Sequence, residues 1–96
     1  MDLVDLIVEK REAMIAVCHK YGATNVRVFG SCARDDYNDN SDVDFLVRFT
    51  APYDYGDLFK LQEELEKLLG RKVDVATDEM LREHIRDHVL MEAVAL

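Results

Sequence analysis

Residues 26–49, VRVFGSCARDDYNDNSDVDFLVRF, decide the fold of this chain. The stretch predicts an apolar strand, a Gly-Ser turn, an acidic loop and a second apolar strand. Because successive strand side chains point to opposite faces, Asp42 and Asp44 share one face, while Val43 and Phe45 lie on the other. Two neighbouring carboxylates repel each other and lose hydration, so the pattern favours a cation between them, usually a metal ion.

The Gly-Ser turn, Gly30-Ser31, predicts a second part of the binding site, next to the carboxylates. Gly30 can adopt backbone conformations closed to other residues, and Ser31 offers a hydroxyl and a main-chain N–H at the expected start of a short helical turn. Such N–H groups favour phosphate oxygens, and Mg²⁺ is commonly held by one or two carboxylates together with substrate phosphates. The stretch therefore predicts a site for a nucleotide and a metal ion.

The spacing of Gly30-Ser31 and Asp42-x-Asp44 resembles the signature of the DNA polymerase β-like nucleotidyltransferase superfamily. Within it, Gly-Ser-x-Ala-Arg followed by Ser-Asp-x-Asp-x-x-Val resembles the minimal nucleotidyltransferase (MNT) domains, small proteins of about this length. Asp35 departs from the pattern, since many relatives have a glycine after the arginine. The resemblance implies an α/β (α+β) fold, with a small mixed sheet of about three strands flanked by helices.

Length, composition and charge limit the class of protein. The 96 residues are expected to form a single domain over residues 1–96 with one modest core. The net charge of −8 and the absence of a Lys/Arg cluster argue against direct nucleic-acid binding. We expect no signal peptide and no membrane span, and free thiols at Cys18 and Cys32, as in a cytoplasmic protein.

Hydrophobic periodicity places the other elements. We predict helices over residues 2–21 and 57–69, strands over 25–29, 42–49 and 72–77, and a helical tail over 78–96. A strand–helix–strand connection makes the last two strands parallel neighbours, which would bring Asp74 to the side of Asp42 and Asp44. An exposed edge-strand aspartate is the alternative interpretation of Asp74.

The tail carries more apolar surface than a small sheet covers. Its second apolar stripe, Leu90, Met91 and Val94, is a candidate partner interface. His84 and His88 lie four residues apart on one predicted helix face, but the third ligand of a metal site is not evident, so we expect surface or interface residues.

Two loop tyrosines, Tyr53 and Tyr55, allow more than one interpretation. They could stack on a nucleotide base or face a partner, or they could be partly buried loop aromatics. The sequence does not decide between these roles.

The resemblance also implies a mechanism. Asp42 and Asp44 would hold Mg²⁺ on the triphosphate of ATP, and a second ion shared with Asp74 would lower the pKa of the acceptor hydroxyl. The three aspartates would thus be both metal ligands and catalytic residues. The Gly30-Ser31 turn and Arg34 would bind the phosphates of the nucleotide. Alternatively, Arg34 could form a salt bridge with the acidic loop.

MNT proteins resemble the antitoxin half of a two-gene pair whose partner is a HEPN ribonuclease toxin. The resemblance implies a hetero-oligomer in which AMP from ATP is attached to a toxin tyrosine. Two alternatives remain open: a non-catalytic module that neutralises its partner by occlusion, and a relative of the antibiotic nucleotidyltransferases, which usually carry a further domain. The set of three aspartates favours an enzyme over a pure binding module.

Overall fold

The computed structural model describes residues 3–30, 33, 38, 41–50 and 52–96. In this part of the chain the elements follow one another as helix α1 (Leu3–Lys20), strand β1 (Ala23–Phe29), strand β2 (Val43–Phe49), helix α2 (Tyr55–Leu69), strand β3 (Val73–Thr77), a 3₁₀ turn (Asp78–Met80), helix α3 (Glu83–Glu92) and strand β4 (Val94–Ala95). The first five elements match the predicted ones, with ends that differ by one or two residues.

The four strands form one mixed sheet in the order β3-β2-β1-β4. Strand β1 pairs antiparallel with both β2 and β4, whereas β2 and β3 are parallel and α2 connects them. The predicted parallel pairing of β2 and β3 is therefore confirmed. The sheet has four strands in the described residues rather than about three, because the end of the chain adds β4.

The core lies between one face of the sheet and the two long helices. Apolar residues at helical spacing in α1 and α2 pack against alternate residues of the strands. The fully or nearly buried members are Leu3, Ile7, Met14 and Cys18 of α1, Leu58, Leu61, Leu65 and Leu69 of α2, and Ala23, Val26, Val28, Val43, Phe45, Val47, Val73 and Val75 of the sheet. The alternation that fills this core leaves the opposite strand face for the site.

Helix α2 begins two residues earlier than predicted because a capping box fixes its start. The side chain of Asp54 accepts from the Asp57 main-chain N–H at 2.9 Å, and the Asp57 carboxylate accepts from the Asp54 N–H at 3.2 Å. Gly70 ends the helix in the left-handed conformation, with φ of 67°.

The prediction of one helical tail over residues 78–96 was wrong. Helix α3 ends at Glu92, and the β-branched Val94 pairs with Val28 at the sheet edge. The Leu96 N–H then donates to the Val26 carbonyl at 3.0 Å. Strand pairing therefore satisfies main-chain groups that a continued helix would have left exposed at the edge of β1.

Among the described helices, none combines the length and the apolar character needed to cross a lipid bilayer.

Candidate active site

Asp44 and Asp74 occupy matching positions on the parallel strands β2 and β3. They are register partners, so their Cα atoms lie side by side on neighbouring strands. Val43 and Val73, the residues that precede them, are completely buried in the core. Because side chains alternate along a strand, both carboxylates point to the opposite face. The structure thus brings these two predicted site residues together.

Asp42 lies just before β2, two residues from Asp44, at the same end of the sheet. Its carboxylate is partly exposed, and its Oδ2 is 3.8 Å from Nζ of Lys72 in a long surface ion pair. A surface pair of this kind contributes little stability. The Asp42 carboxylate is therefore held only weakly by the lysine.

The carboxylates at this end of the sheet can be compared with the two ways in which proteins hold a metal ion. Within the described ranges, no group of three His, Cys, Asp or Glu side chains lies close enough to hold one. Mg²⁺, however, is typically held by one or two carboxylates together with substrate phosphates. The donor set of Asp44, Asp74 and the nearby Asp42 fits that second arrangement, in which metal and nucleotide bind together.

Gly30 makes room for the Asp44 carboxylate. It follows β1, whose last residue, Phe29, is the register partner of Asp44, and its φ is 74°. A Cβ at this position would overlap Oδ2 of Asp44 and lie 3.3 Å from its Cγ. The sequence predicted a glycine for a phosphate turn, and the structure adds a second reason for it, since any side chain here would displace the carboxylate.

Two other predicted nucleotide-binding residues, Ser31 and Arg34, lie outside the described residues. Their roles stay predictions.

Sequence reasoning missed Arg71, which holds the end of the acidic loop. Its Nη1 donates to the carbonyl oxygens of Asn38 at 2.9 Å and Ser41 at 3.0 Å. Asn38 and Ser41 are also joined, because the Asn38 N–H donates to Ser41 Oγ at 2.9 Å. Asp42 directly follows this anchored turn. Nothing in the sequence links residue 71 to residue 38, so the contact could not have been predicted.

A second missed feature is a charged cluster on the site face. Nη2 of Arg27 donates to Oδ1 of Asp78 at 2.9 Å, and Nη2 of Arg48 lies 3.8 Å from Oδ2 of the same carboxylate. The signal was present, since Arg27 interrupts an apolar strand and alternation places it on the face of Asp44. The cluster fastens the 3₁₀ turn after β3 onto the sheet.

The loop aromatics and the two histidines lie away from the carboxylates in sequence. The Tyr53 ring stacks on Phe49 with centroids 3.9 Å apart, so this tyrosine packs against the protein, whereas Tyr55 is exposed. His84 and His88 are both exposed on α3, as expected for surface residues.

The sequence is similar to a known family and to curated relatives. Residues 10–96 match the family described as the nucleotidyltransferase domain. MJ0435 of Methanocaldococcus jannaschii, which carries the name of a protein adenylyltransferase, is 38% identical over 86 residues, covering 90% of this chain and 92% of that protein. Protein adenylyltransferase MntA of Thermococcus cleftensis is 37% identical over 75 residues, covering 78% of this chain and 76% of the relative.

Solved structures share the fold. A structure described as a minimal nucleotidyltransferase superposes with a TM-score of 0.88 at 41% identity, covering 100% of this chain and 97% of that chain. A toxin–antitoxin structure with AMP-PNP has a TM-score of 0.75 at 19% identity, covering 88% and 69% of the two chains, and this likeness concerns the fold alone. The predicted polymerase β-like core is therefore confirmed.

Proposed function

This chain belongs to the nucleotidyltransferase domain family and is a nucleotidyltransferase, and we propose that it transfers AMP from Mg²⁺-bound ATP to a hydroxyl group of a partner protein. The observation that carries the proposal is the pairing of Asp44 with Asp74 on parallel strands, with Gly30 against the Asp44 carboxylate. This arrangement joins metal-ligating oxygens to a turn suited to phosphate.

The reaction needs alignment and charge neutralisation more than covalent help from the protein. The acceptor hydroxyl gives up its proton to solvent water, and its oxygen attacks the α-phosphorus. The bond from that phosphorus to the bridging oxygen breaks, and pyrophosphate leaves. Mg²⁺ bound at the carboxylates would neutralise the phosphates and lower the pKa of the attacking hydroxyl. Asp42 and Asp44 orient the triphosphate, and Asp74, the more exposed of the register pair, faces the acceptor.

The proposed partner is a HEPN-type ribonuclease toxin, and the proposed acceptor is a tyrosine of that toxin. Support comes from the relative named MntA and from the toxin–antitoxin structure that shares this fold. AMP attached to the toxin would silence it, so the chain would act as an antitoxin in a hetero-oligomer. The net charge of −8 is unfavourable for nucleic acid as a direct ligand.

A second candidate function is neutralisation of the partner by occlusion, without chemistry. The observation that favours it is the apolar surface of the C-terminal segment, where Met91 is 88% exposed and Leu90 and Val94 are also exposed. Such a surface binds protein partners whether or not the carboxylates are active.

One experiment separates the two candidates. The protein is mixed with Mg²⁺, ATP and the protein encoded beside it, and the neighbour is weighed by intact-mass spectrometry. We expect a gain of one adenylyl group, with label retained from the α-phosphate of ATP and none from the γ-phosphate. Asp44→Asn, which keeps the shape and removes the charge, serves as the matched control and should give no gain. Neutralisation of the neighbour without a mass gain would establish occlusion instead.

A further inference from the structure

Lys72 lies beside Asp42 at the end of the sheet that carries the carboxylates. The Val43 N–H donates to the Lys72 carbonyl oxygen at 3.0 Å, so the parallel pairing of β2 and β3 continues to this lysine. Val43 and Val73 are both completely buried in the core. Because side chains alternate along paired strands, the residues before these valines, Asp42 and Lys72, point to the face that carries the other two aspartates. Lys72 is therefore a member of the candidate active site.

The position of Lys72 sets it apart from the other lysines of the chain. Those lie on α1 and α2, on the opposite side of the sheet, at Lys10, Lys20, Lys60 and Lys67. Arg27 and Arg48 share the face of the carboxylates, but they lie two and four residues farther along the strands than Asp44, where both contact Asp78. Lys72 is thus the one lysine that adjoins the carboxylates.

The contact between Lys72 and Asp42 is long and open to water. Nζ lies 3.8 Å from Oδ2, and the two side chains are 69% and 39% exposed. A charge-assisted hydrogen bond would be shorter, at about 2.7–2.9 Å. Solvent screens such a pair, so it adds little to stability. The ammonium group can therefore leave Asp42 at little cost to the fold, while the bond from Val43 keeps the lysine backbone in place.

A magnesium ion at Asp42 would compete with the ammonium group for the same carboxylate. Mg²⁺ takes its oxygen ligands at about 2.0–2.1 Å and carries two positive charges, so it would repel an ammonium group held beside the same oxygen. Lysine carries its charge on a flexible four-carbon stem and binds phosphate as a point charge. A nucleotide that enters with Mg²⁺ offers the displaced ammonium group phosphate oxygens in exchange for the carboxylate.

We propose that Lys72 is a nucleotide-binding residue that exchanges partners when the nucleotide binds. Its ammonium group pairs with Asp42 in the ligand-free protein and binds a phosphate oxygen when ATP enters with Mg²⁺. This assignment rests on the proposed function and adds a phosphate ligand outside the Gly30-Ser31 turn, just ahead of β3. Loss of the lysine charge has two effects of opposite sign, because it frees Asp42 for a metal ion but removes a contact to the nucleotide.

Two matched variants, Lys72→Met and Lys60→Met, isolate this contact. Each removes one positive charge and keeps an unbranched side chain, and both native lysines are exposed, so neither change disturbs the core. Lys60 lies on α2, on the other side of the sheet, and therefore reports the effect of net charge alone. A third variant, Lys72→Arg, keeps the charge at the site. Urea denaturation should give the same free energy of unfolding for the three variants and the parent.

Calorimetric titration with Mg²⁺ and ATP tests the phosphate contact. We expect Lys72→Met to bind the nucleotide about tenfold or more weakly than the parent, because a hydrogen bond between charged groups is lost. Lys72→Arg should recover most of this loss, and Lys60→Met should bind as the parent does. Equal affinities of Lys72→Met and Lys60→Met would overturn the proposal and leave Lys72 as a surface ion pair.

Titration with Mn²⁺ in the absence of nucleotide tests the exchange at Asp42, since this paramagnetic ion broadens the nuclear resonances of nearby groups. We expect the amide signals of Asp44 and Asp74 to broaden at a Mn²⁺ concentration about two- to fivefold lower in Lys72→Met than in the parent. Equal midpoints in the two proteins, or no broadening in either, would contradict the exchange.

The binding measurements need no acceptor, so they separate this inference from the proposed function. A parent that binds Mg²⁺-ATP but transfers nothing to the neighbouring protein would contradict the transfer reaction and leave the assignment of Lys72 intact. A parent that transfers AMP while Lys72→Met binds ATP with parental affinity would contradict the assignment of Lys72 alone. A parent without affinity for Mg²⁺-ATP would contradict both.

Discussion

Replacement of Gly30 by alanine tests the link between the turn and the carboxylate of Asp44, which we propose to be catalytic. Gly30 has φ of 74°, a conformation that costs a residue with a Cβ about 1–2 kcal/mol. The added Cβ would also overlap the Asp44 carboxylate, which must then leave its position. An off-rotamer side chain costs roughly 0.5–1.5 kcal/mol, so we expect Gly30→Ala to lower the free energy of unfolding by ~2–3 kcal/mol in all.

Gly70 offers a matched control in the same chain. Its φ is 67°, but nothing lies within 4 Å of the Cβ that alanine would add. Gly70→Ala should therefore cost the conformational strain alone, about 1–2 kcal/mol. The excess cost of Gly30→Ala, about 1 kcal/mol, corresponds to a melting temperature roughly 4–8 °C below that of Gly70→Ala in a domain of this size.

Urea denaturation and a transfer assay measure the two effects separately. Because a displacement of about 1 Å at a reacting centre can cost roughly a hundredfold in rate, we expect Gly30→Ala to lose transfer activity while Gly70→Ala keeps it. In an Asp44→Ala background the excess destabilisation of Gly30→Ala should vanish, since the overlapping carboxylate is gone. Parent-level activity in folded Gly30→Ala, or an undiminished excess in that background, would refute the reasoning.

Further predictions concern Asp74, Arg71 and Cys18. Asp74→Asn should still bind the partner in a pull-down but give no adenylyl gain by mass spectrometry, and a modified partner would remove Asp74 from the site. Arg71→Gln should weaken Mg-ATP binding in calorimetry, because the bonds from Arg71 to the carbonyls of Asn38 and Ser41, just ahead of Asp42, are lost. Arg82→Gln on the surface should leave the affinity unchanged. Equal affinities of the two variants would show that other contacts hold the loop. Burial raises the pKa of the Cys18 thiol from 9.0 to about 11, so the unfolded chain releases this proton first as pH rises. Ionisation of this thiol should therefore lower the free energy of unfolding of the parent by roughly 2 kcal/mol between pH 9 and 11, and Cys18→Ala should lack that contribution.

Much of the fold could be predicted because local patterns and tertiary packing agree. The alternation in β2 and β3 assigned one face to the core and the other to the carboxylates, and the strand–helix–strand connection gave the parallel pairing. The tail was mispredicted for a physical reason. Its apolar spacing suits a helix up to Glu92, but pairing with β1 outweighs helix propensity at Val94.

The candidate site was predictable only where local spacing or the strand–helix–strand connection determines the positions of its residues. Asp42 and Asp44 follow from local spacing, and Asp74 follows from the connection between strands. The contact of Gly30 with Asp44 depends on the antiparallel register of β1 and β2, and the hold of Arg71 on the acidic loop depends on the α2–β3 turn. Neither is encoded by spacing, because each joins segments that meet only after the sheet has formed.

The register between β2 and β3 is what creates the carboxylate pair. A slip of one residue would turn Asp74 into the core and expose Val73, because the side-chain period of a strand is two. Gln62 and Glu66 oppose such a slip, since each accepts a specific amide of β3 from a fixed position on α2. Gln62 and Glu66 therefore help to hold Asp74 beside Asp44.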